Sequence, residues 1–175
     1  MRSLHETDGA PREPERQRIV TDENPAEPME QMMRLALDQA RLASEHGDVP
    51  IGAVILDPEG TVVAADRNRR EANADPTAHA EILALAAAAQ KARTWHLDDH
   101  TLVVTLEPCA MCAGAAVNAR IGRLIYGAAD LKAGACWSLF NIPQDRRLNH
   151  NMAMEAGILA EESTALLTEF FEARR

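Results

Sequence analysis

TLVVTLEPCAMCAGAAVNAR, residues 101–120, sets a β-branched apolar run against a run of small residues. Thr101 to Leu106 has the composition of a strand. Pro108, tolerated in a first helical turn but not deeper, opens a helix that ends near Arg120. A strand that hands the chain directly to a helix is half of a βα unit, the building block of a layered α/β domain. Cys109 and Cys112 stand three apart at the start of that helix, so both sulfurs emerge on one face with Cβ atoms roughly 5–6 Å apart. Two Zn–S bonds of about 2.3 Å close that gap, and the positive end of the helix favours thiolate over thiol. Alone, a Cys-x-x-Cys pair suits equally a redox dithiol, a structural zinc clip or two buried small side chains.

Upstream, Pro76 suits the start of another helix, the alanine-rich stretch His79 to Arg93. His79 joins the cysteines as a third soft ligand, and no fourth is evident. Zinc with three protein ligands and one open position is the catalytic kind of site. Glu81, two residues past the histidine, is close enough to exchange a proton with a water held there. A structural site would draw a fourth ligand from Cys136, His46, His96, His100 or His150, and none of these has the short paired spacing such sites use. A redox dithiol would come with a thioredoxin-like order of elements, which is missing.

Further out, Ile51 to Leu56 and Thr61 to Ala65 read as two strands joined at Asp57-Pro58-Glu59-Gly60, with Asp, Pro and Gly in their preferred type I turn positions. Met29, Met33, Ala36, Ala40 and Ala43 recur at helical spacing, and Gly47 closes that amphipathic helix. Arg67 to Asp75 reads as a loop. Arg123 to Gly127 reads as a strand, Asp130 to Asn151 as irregular, Met152 to Glu155 as a short strand, and Leu159 to Arg174 as a helix carrying Leu166, Leu167 and Phe170. The pattern predicts a three-layer α/β/α domain around a five-stranded mixed sheet, spanning residues 29–175. Residues 1–28 carry more acid than base, with Pro11, Pro14, Pro25 and Pro28 and few large apolar groups. That composition predicts a disordered N-terminal extension, too acidic for an organelle-targeting peptide.

The 175 residues suffice for one core. A formal charge of −9 excludes binding of nucleic acid through bulk positive charge, so any such contact must be local. Arg67, Arg69, Arg70, Arg120, Arg123, Lys132, Arg146, Arg147, Arg174 and Arg175 are the candidates for a basic rim. Three cysteines are too few for a disulfide framework, and there is no segment of membrane-spanning or signal-peptide type. The expectation is a reduced, cytoplasmic setting with metal-bound thiolates.

Pro76-Thr77-Ala78-His79-Ala80-Glu81 followed by Glu107-Pro108-Cys109-Ala110-Met111-Cys112 resembles the signature of the cytidine deaminase superfamily. Within it the chain is most similar, from about Met29 to Arg175, to the branch that converts the wobble adenosine of a tRNA anticodon to inosine. Val49-Pro50-Ile51-Gly52-Ala53-Val54, Arg67-Asn68-Arg69, Ser138-Leu139, Asn149-His150 and Glu169-Phe170-Phe171 carry that second likeness. It implies one zinc per subunit on His79, Cys109 and Cys112, with Glu81 as proton shuttle. It also implies a homodimer that binds a tRNA anticodon stem-loop. Asn68 is then expected on the purine ring, the Ala80 N–H beside the reacting oxygen, and Asp130 and His150 near the target nucleotide. Plainer roles stand beside these: a loop cap for Asn68, a solvated turn for Asp130, packing for His150, and core for Phe170 and Phe171. One departure is Ala133-Gly134-Ala135-Cys136-Trp137, where the family has small, glycine-like residues, so Trp137 is expected to crowd or reshape that loop. The rival readings are deamination of a free base or nucleoside by the same machinery, and a non-catalytic zinc-stabilised RNA-binding module.

Overall fold

A computed structural model describes residues 27–175. The extension expected over 1–28 lies outside the described residues except for Glu27 and Pro28, which begin helix α1, Glu27–Glu45. The helix thus starts two residues earlier than the apolar spacing indicated, with proline in its first turn, where the missing N–H costs nothing.

The hairpin is strands β1, Gly52–Leu56, and β2, Val62–Arg67. Its turn is closed by Gly60 N–H donating to Asp57 O at 3.0 Å, with Gly60 at φ +81°. A glycine suits that left-handed position, and the register shift at Ile55/Leu56 takes up the extra residue. A short helix, α2, Arg70–Asn73, interrupts what the sequence presents as loop. Its first N–H groups are capped from a distance: the buried Asp48 accepts Glu71 N at 2.8 Å and Ala72 N at 3.2 Å. A cap more than twenty residues away leaves no local signature.

Then come α3, Ala80–Ala92; β3, Thr101–Leu106; α4, Ala110–Asn118; β4, Arg123–Ala128; β5, Ala153–Ala156; and α5, Ala160–Glu172. Pro76 does not open α3. Thr77 N donates to Asp75 Oδ1 at 2.7 Å and Ala78 N to Asp75 O at 3.2 Å, so Asp75-Pro76-Thr77 is a turn and His79 becomes the cap residue.

The sheet order is β2-β1-β3-β4-β5. β1 is antiparallel to β2 and β3, while β3, β4 and β5 are parallel. Alternation along the strands feeds two cores. Val54, Leu56, Val103 and Ile125 meet Met33, Ala36 and Leu37 of α1, with Leu166 of α5 packed against them. Ile55, Leu102, Val104, Leu124 and Tyr126 meet Ala80, Ala84, Ala113 and Ala116 of α3 and α4. The expected three layers and mixed five-stranded sheet are therefore present. Because β2 and β3 both oppose β1, they point the same way. The helices that follow them, α3 and α4, therefore start at the same edge of the sheet, the edge where α/β folds place their sites.

Two positions test this packing. A Cβ on Gly52 would lie 2.1 Å from Ala36 O and 2.5 Å from Ala40 N, so α1 crosses directly over the β1 backbone. Gly52→Ala is expected to cost about 3 kcal/mol or to prevent folding, read from a urea melt. Asp48→Ala leaves two backbone donors of α2 without their buried acceptor. A loss of about 1–3 kcal/mol is expected, with faster amide exchange at Glu71 and Ala72.

Candidate metal centre and active-site cavity

His79 and Cys109 are the cap residues of α3 and α4, with extended backbone at φ −75°, ψ 149° and φ −71°, ψ 174°. Neither side chain folds back to cap its own helix, so both are free to meet. His79 Nδ1 lies 3.7 Å from Cys109 Sγ and 3.5 Å from Cys112 Sγ. Zinc bonds of about 2.05 Å to nitrogen and 2.3 Å to sulfur, set at tetrahedral angles, require ligand separations of about 3.5–3.8 Å. The ligand atoms of all three residues fall within 4.8 Å of one another. The donor set and its spacing therefore fit zinc with a fourth position left over.

Electrostatics at the triad favour a thiolate. The Cys109 thiol is drawn down to about 3, first by the hydrogen bond from Cys112 and then by His79, against the opposing effect of burial. Cys112, as donor to Cys109 and buried, is pushed up. A dication beside the pair would stabilise both as thiolates. His79 is raised, chiefly by its bond to Cys109. Glu81, in the first turn of α3, is 4% exposed, and burial pushes its carboxyl up.

A cavity of about 400 Å³ opens over this centre. His79, Ala80, Glu81, Cys109, Asn68 and Asp130 line it, so the structure brings six of the sequence-derived residues to one place, with buried Cys112 behind Cys109. Asn68 is held by its Nδ2 donating to Val49 O and its Oδ1 accepting Arg70 N, each at 3.3 Å. Asp130 Oδ1 accepts Lys132 N at 2.9 Å and Ala133 N at 3.2 Å, so it also builds its turn. His150 does not line the cavity. Its Nε2 is 2.7 Å from Ile121 O, a bond that braces the chain entering β4.

The basic rim is smaller than the sequence suggested: among the described residues, Arg70 and Lys132 are the cations that line the cavity. Arg69 pairs with Asp66, Arg120 with Asp98, Arg123 with Glu155 and Arg147 with Asp145, while Arg174 lies over the Phe170 ring. Phe170 is core, as its helical position indicated, but Phe171 and Leu167 line the cavity. Their spacing of four puts them on one face of α5, a face that periodicity alone could not distinguish from the core side. Trp137 does not crowd its loop: its side chain is 74% exposed, while its backbone N–H goes to Glu107. The sequence reading gave Glu107 no role, yet it is 2% exposed and accepts hydrogen bonds throughout residues 130–138.

The family model described as MafB19-like deaminase matches residues 27–175. The tRNA-specific adenosine deaminase of Haemophilus influenzae is 44% identical over 146 residues, covering 83% of this chain and 84% of that protein. A solved structure from a study of A-to-I editing by tRNA:A34 deaminases is 42% identical with a TM-score of 0.75, over 78% of this chain and 99% of that one. The guanine deaminase of Nitrosomonas europaea is more distant at 26% identity and a TM-score of 0.71, over 81% of this chain and 83% of that one. The chain belongs to the MafB19-like deaminase family, and its relatives there include tRNA-specific adenosine deaminases.

Proposed function

We propose that this protein hydrolyses the wobble adenosine of a tRNA anticodon to inosine, with zinc on His79, Cys109 and Cys112 and Glu81 as the proton carrier. The observation that carries this is the histidine–dithiol triad at tetrahedral spacing with a buried carboxyl at its side. A non-catalytic zinc module has no use for either the open position or Glu81. Zinc, when bound there, supplies a water acidic enough to attack at neutral pH. Glu81 takes a proton from the attacking water and delivers it to the adenine ring nitrogen as C6 is attacked; it then takes the proton of the added hydroxyl and passes it to the amino group, which leaves as ammonia while C6 becomes a carbonyl. Ala80 N–H, at the head of α3 where helical donors lack intrahelical partners, faces the oxygen added at C6. Asn68 bonds the purine edge and Asp130 adjoins the target nucleotide. For His150 we propose a bracing role in place of substrate contact.

The reacting carbon is out of reach in a stacked duplex, so the substrate is an anticodon loop from which the adenosine swings out. Leu167 and Phe171 offer that base an apolar wall, and Arg70 and Lys132 offer phosphate contacts. The same reading makes the protein a cytoplasmic homodimer with residues 1–28 as an extension outside the deaminase domain. Leu131, Trp137, Leu139 and Phe140 form an exposed apolar stretch beside the cavity that suits the second subunit. No helix among the described residues is long and apolar enough to cross a membrane.

Two experiments check the assignment. Glu81→Ala should retain zinc and lose turnover by several orders of magnitude, whereas Cys109→Ala should lose zinc and melt at lower temperature. Metal analysis of the cysteine variant showing full zinc, or robust activity in the glutamate variant, would overturn it. Incubation with an anticodon stem-loop should yield inosine. With two cations at the cavity, log affinity should fall against log salt with a slope of roughly −1 to −2 per subunit. Efficient, salt-insensitive deamination of free guanine or cytidine, with no inosine in the stem-loop, would favour the small-molecule rival.

A further inference from the structure

Five hydrogen bonds converge on one buried carboxylate, that of Glu107, a residue of the cavity lining. Glu107 Oε1 accepts Cys136 N at 3.1 Å, Trp137 N at 2.8 Å and Ser138 N at 2.9 Å. Its Oε2 accepts Asp130 N at 3.0 Å and the Ser138 hydroxyl. Every donor comes from residues 130–138, the segment whose Asp130, Lys132 and Ala133 line the cavity. Gly134 makes room for the carboxylate, because a Cβ there would lie 2.4 Å from Glu107 Cδ. The neighbouring backbone ties the same two stretches together: Ala135 N donates to Pro108 O at 2.8 Å, and Cys109 bridges to Gly134.

From this arrangement we infer that Glu107 is a positioning residue for substrate, acting through the rim segment 130–133. The inference rests on the adenosine reading for the identity of that substrate. The carboxylate is two residues before Cys109, so the short β3–α4 connection that carries Cys109 also anchors residues 130–138. The rim is thereby fixed relative to the metal centre without touching it. A carboxylate is required because four of the five partners are backbone N–H groups, which can only donate, and they reach both of its oxygens. Glutamine keeps the shape but turns an NH₂ toward one set of them, leaving those donors without a buried acceptor.

Glu107→Gln in the full chain is the direct test, with Ser138→Ala as a milder variant that removes one donor and leaves the carboxylate in place. In Glu107→Gln, amide exchange should accelerate across residues 130–138 and stay unchanged across α3 and α4, with zinc content retained. KM for the anticodon stem-loop should rise roughly tenfold or more, the fold-change of one charged hydrogen bond left unmade, while kcat changes by about twofold or less. Ser138→Ala should move exchange and KM in the same direction, and its effect should shrink in the Glu107→Gln background because both act on one contact. Unchanged exchange at 130–138, or a fall in kcat at constant KM, overturns the inference. If Glu107→Gln does not fold, Ser138→Ala decides it by the same two readouts. Wild-type enzyme that forms no inosine from the stem-loop refutes the adenosine reading instead; the exchange measurement, which needs no substrate, still decides whether Glu107 holds the segment.

Discussion

The meeting of two helix starts governs this molecule. His79 and Cys109 each occupy the cap position of an alanine-rich helix, and the sheet sets both helices down at one edge because β2 and β3 run in the same direction. Small side chains on α3 and α4 let the two lie close against the same sheet face. The imidazole and both thiols then arrive within a metal's reach of each other, with the helices' positive ends aimed at the thiolates. Cys112 follows from helical geometry once Cys109 is placed, and Glu81 lies in the first turn of the helix that His79 caps.

Chemistry at such a centre depends on keeping charge and water under control. Glu81 is buried where its proton is harder to lose than in water, next to a thiol pair that holds negative charge. On the proposed reading an acidic chain receives a polyanion because the mouth of the cavity carries Arg70 and Lys132, while Asp66, Asp98 and Asp145 are paired with arginines elsewhere. Affinity for RNA on this scheme is local and modest in its charge contribution, with apolar contact from Leu167 and Phe171 beside it.

The cavity walls are held by acids that take no part in the proton chemistry. Asp48 caps α2 and so fixes the segment bearing Arg70, next to Asn68. Glu107 gathers residues 130–138 and so fixes the opposite wall. Each is buried and each accepts several backbone N–H groups, the arrangement that makes a buried carboxylate tolerable. Loops that would otherwise be free are thereby tied to rigid strands and helices, as a site that must orient its substrate requires.

The sequence by itself determined the elements of the layered fold and the local groupings Cys109 with Cys112 and His79 with Glu81, since these rest on short-range rules; the meeting of the two groups rests on the sheet. Strand and helix composition located nearly every element, the i, i+3 spacing of Cys109 and Cys112 translates directly into a shared helix face, and Glu81 lies only two residues past His79. Where local rules competed, the reading slipped: Pro76 suited a helix start, but Asp75 made it part of a turn. Only the tertiary structure decided what depends on contacts between distant segments. It alone showed that Asp48 builds a helix out of residues 70–73, that Glu107 organises a loop some thirty residues away, and that His150 serves a backbone carbonyl. It alone showed which arginines are already paired and that Phe171, not Phe170, faces the cavity. A carboxylate, an arginine or an aromatic ring acquires its role from its partners, and those partners are fixed by the packing of the whole chain.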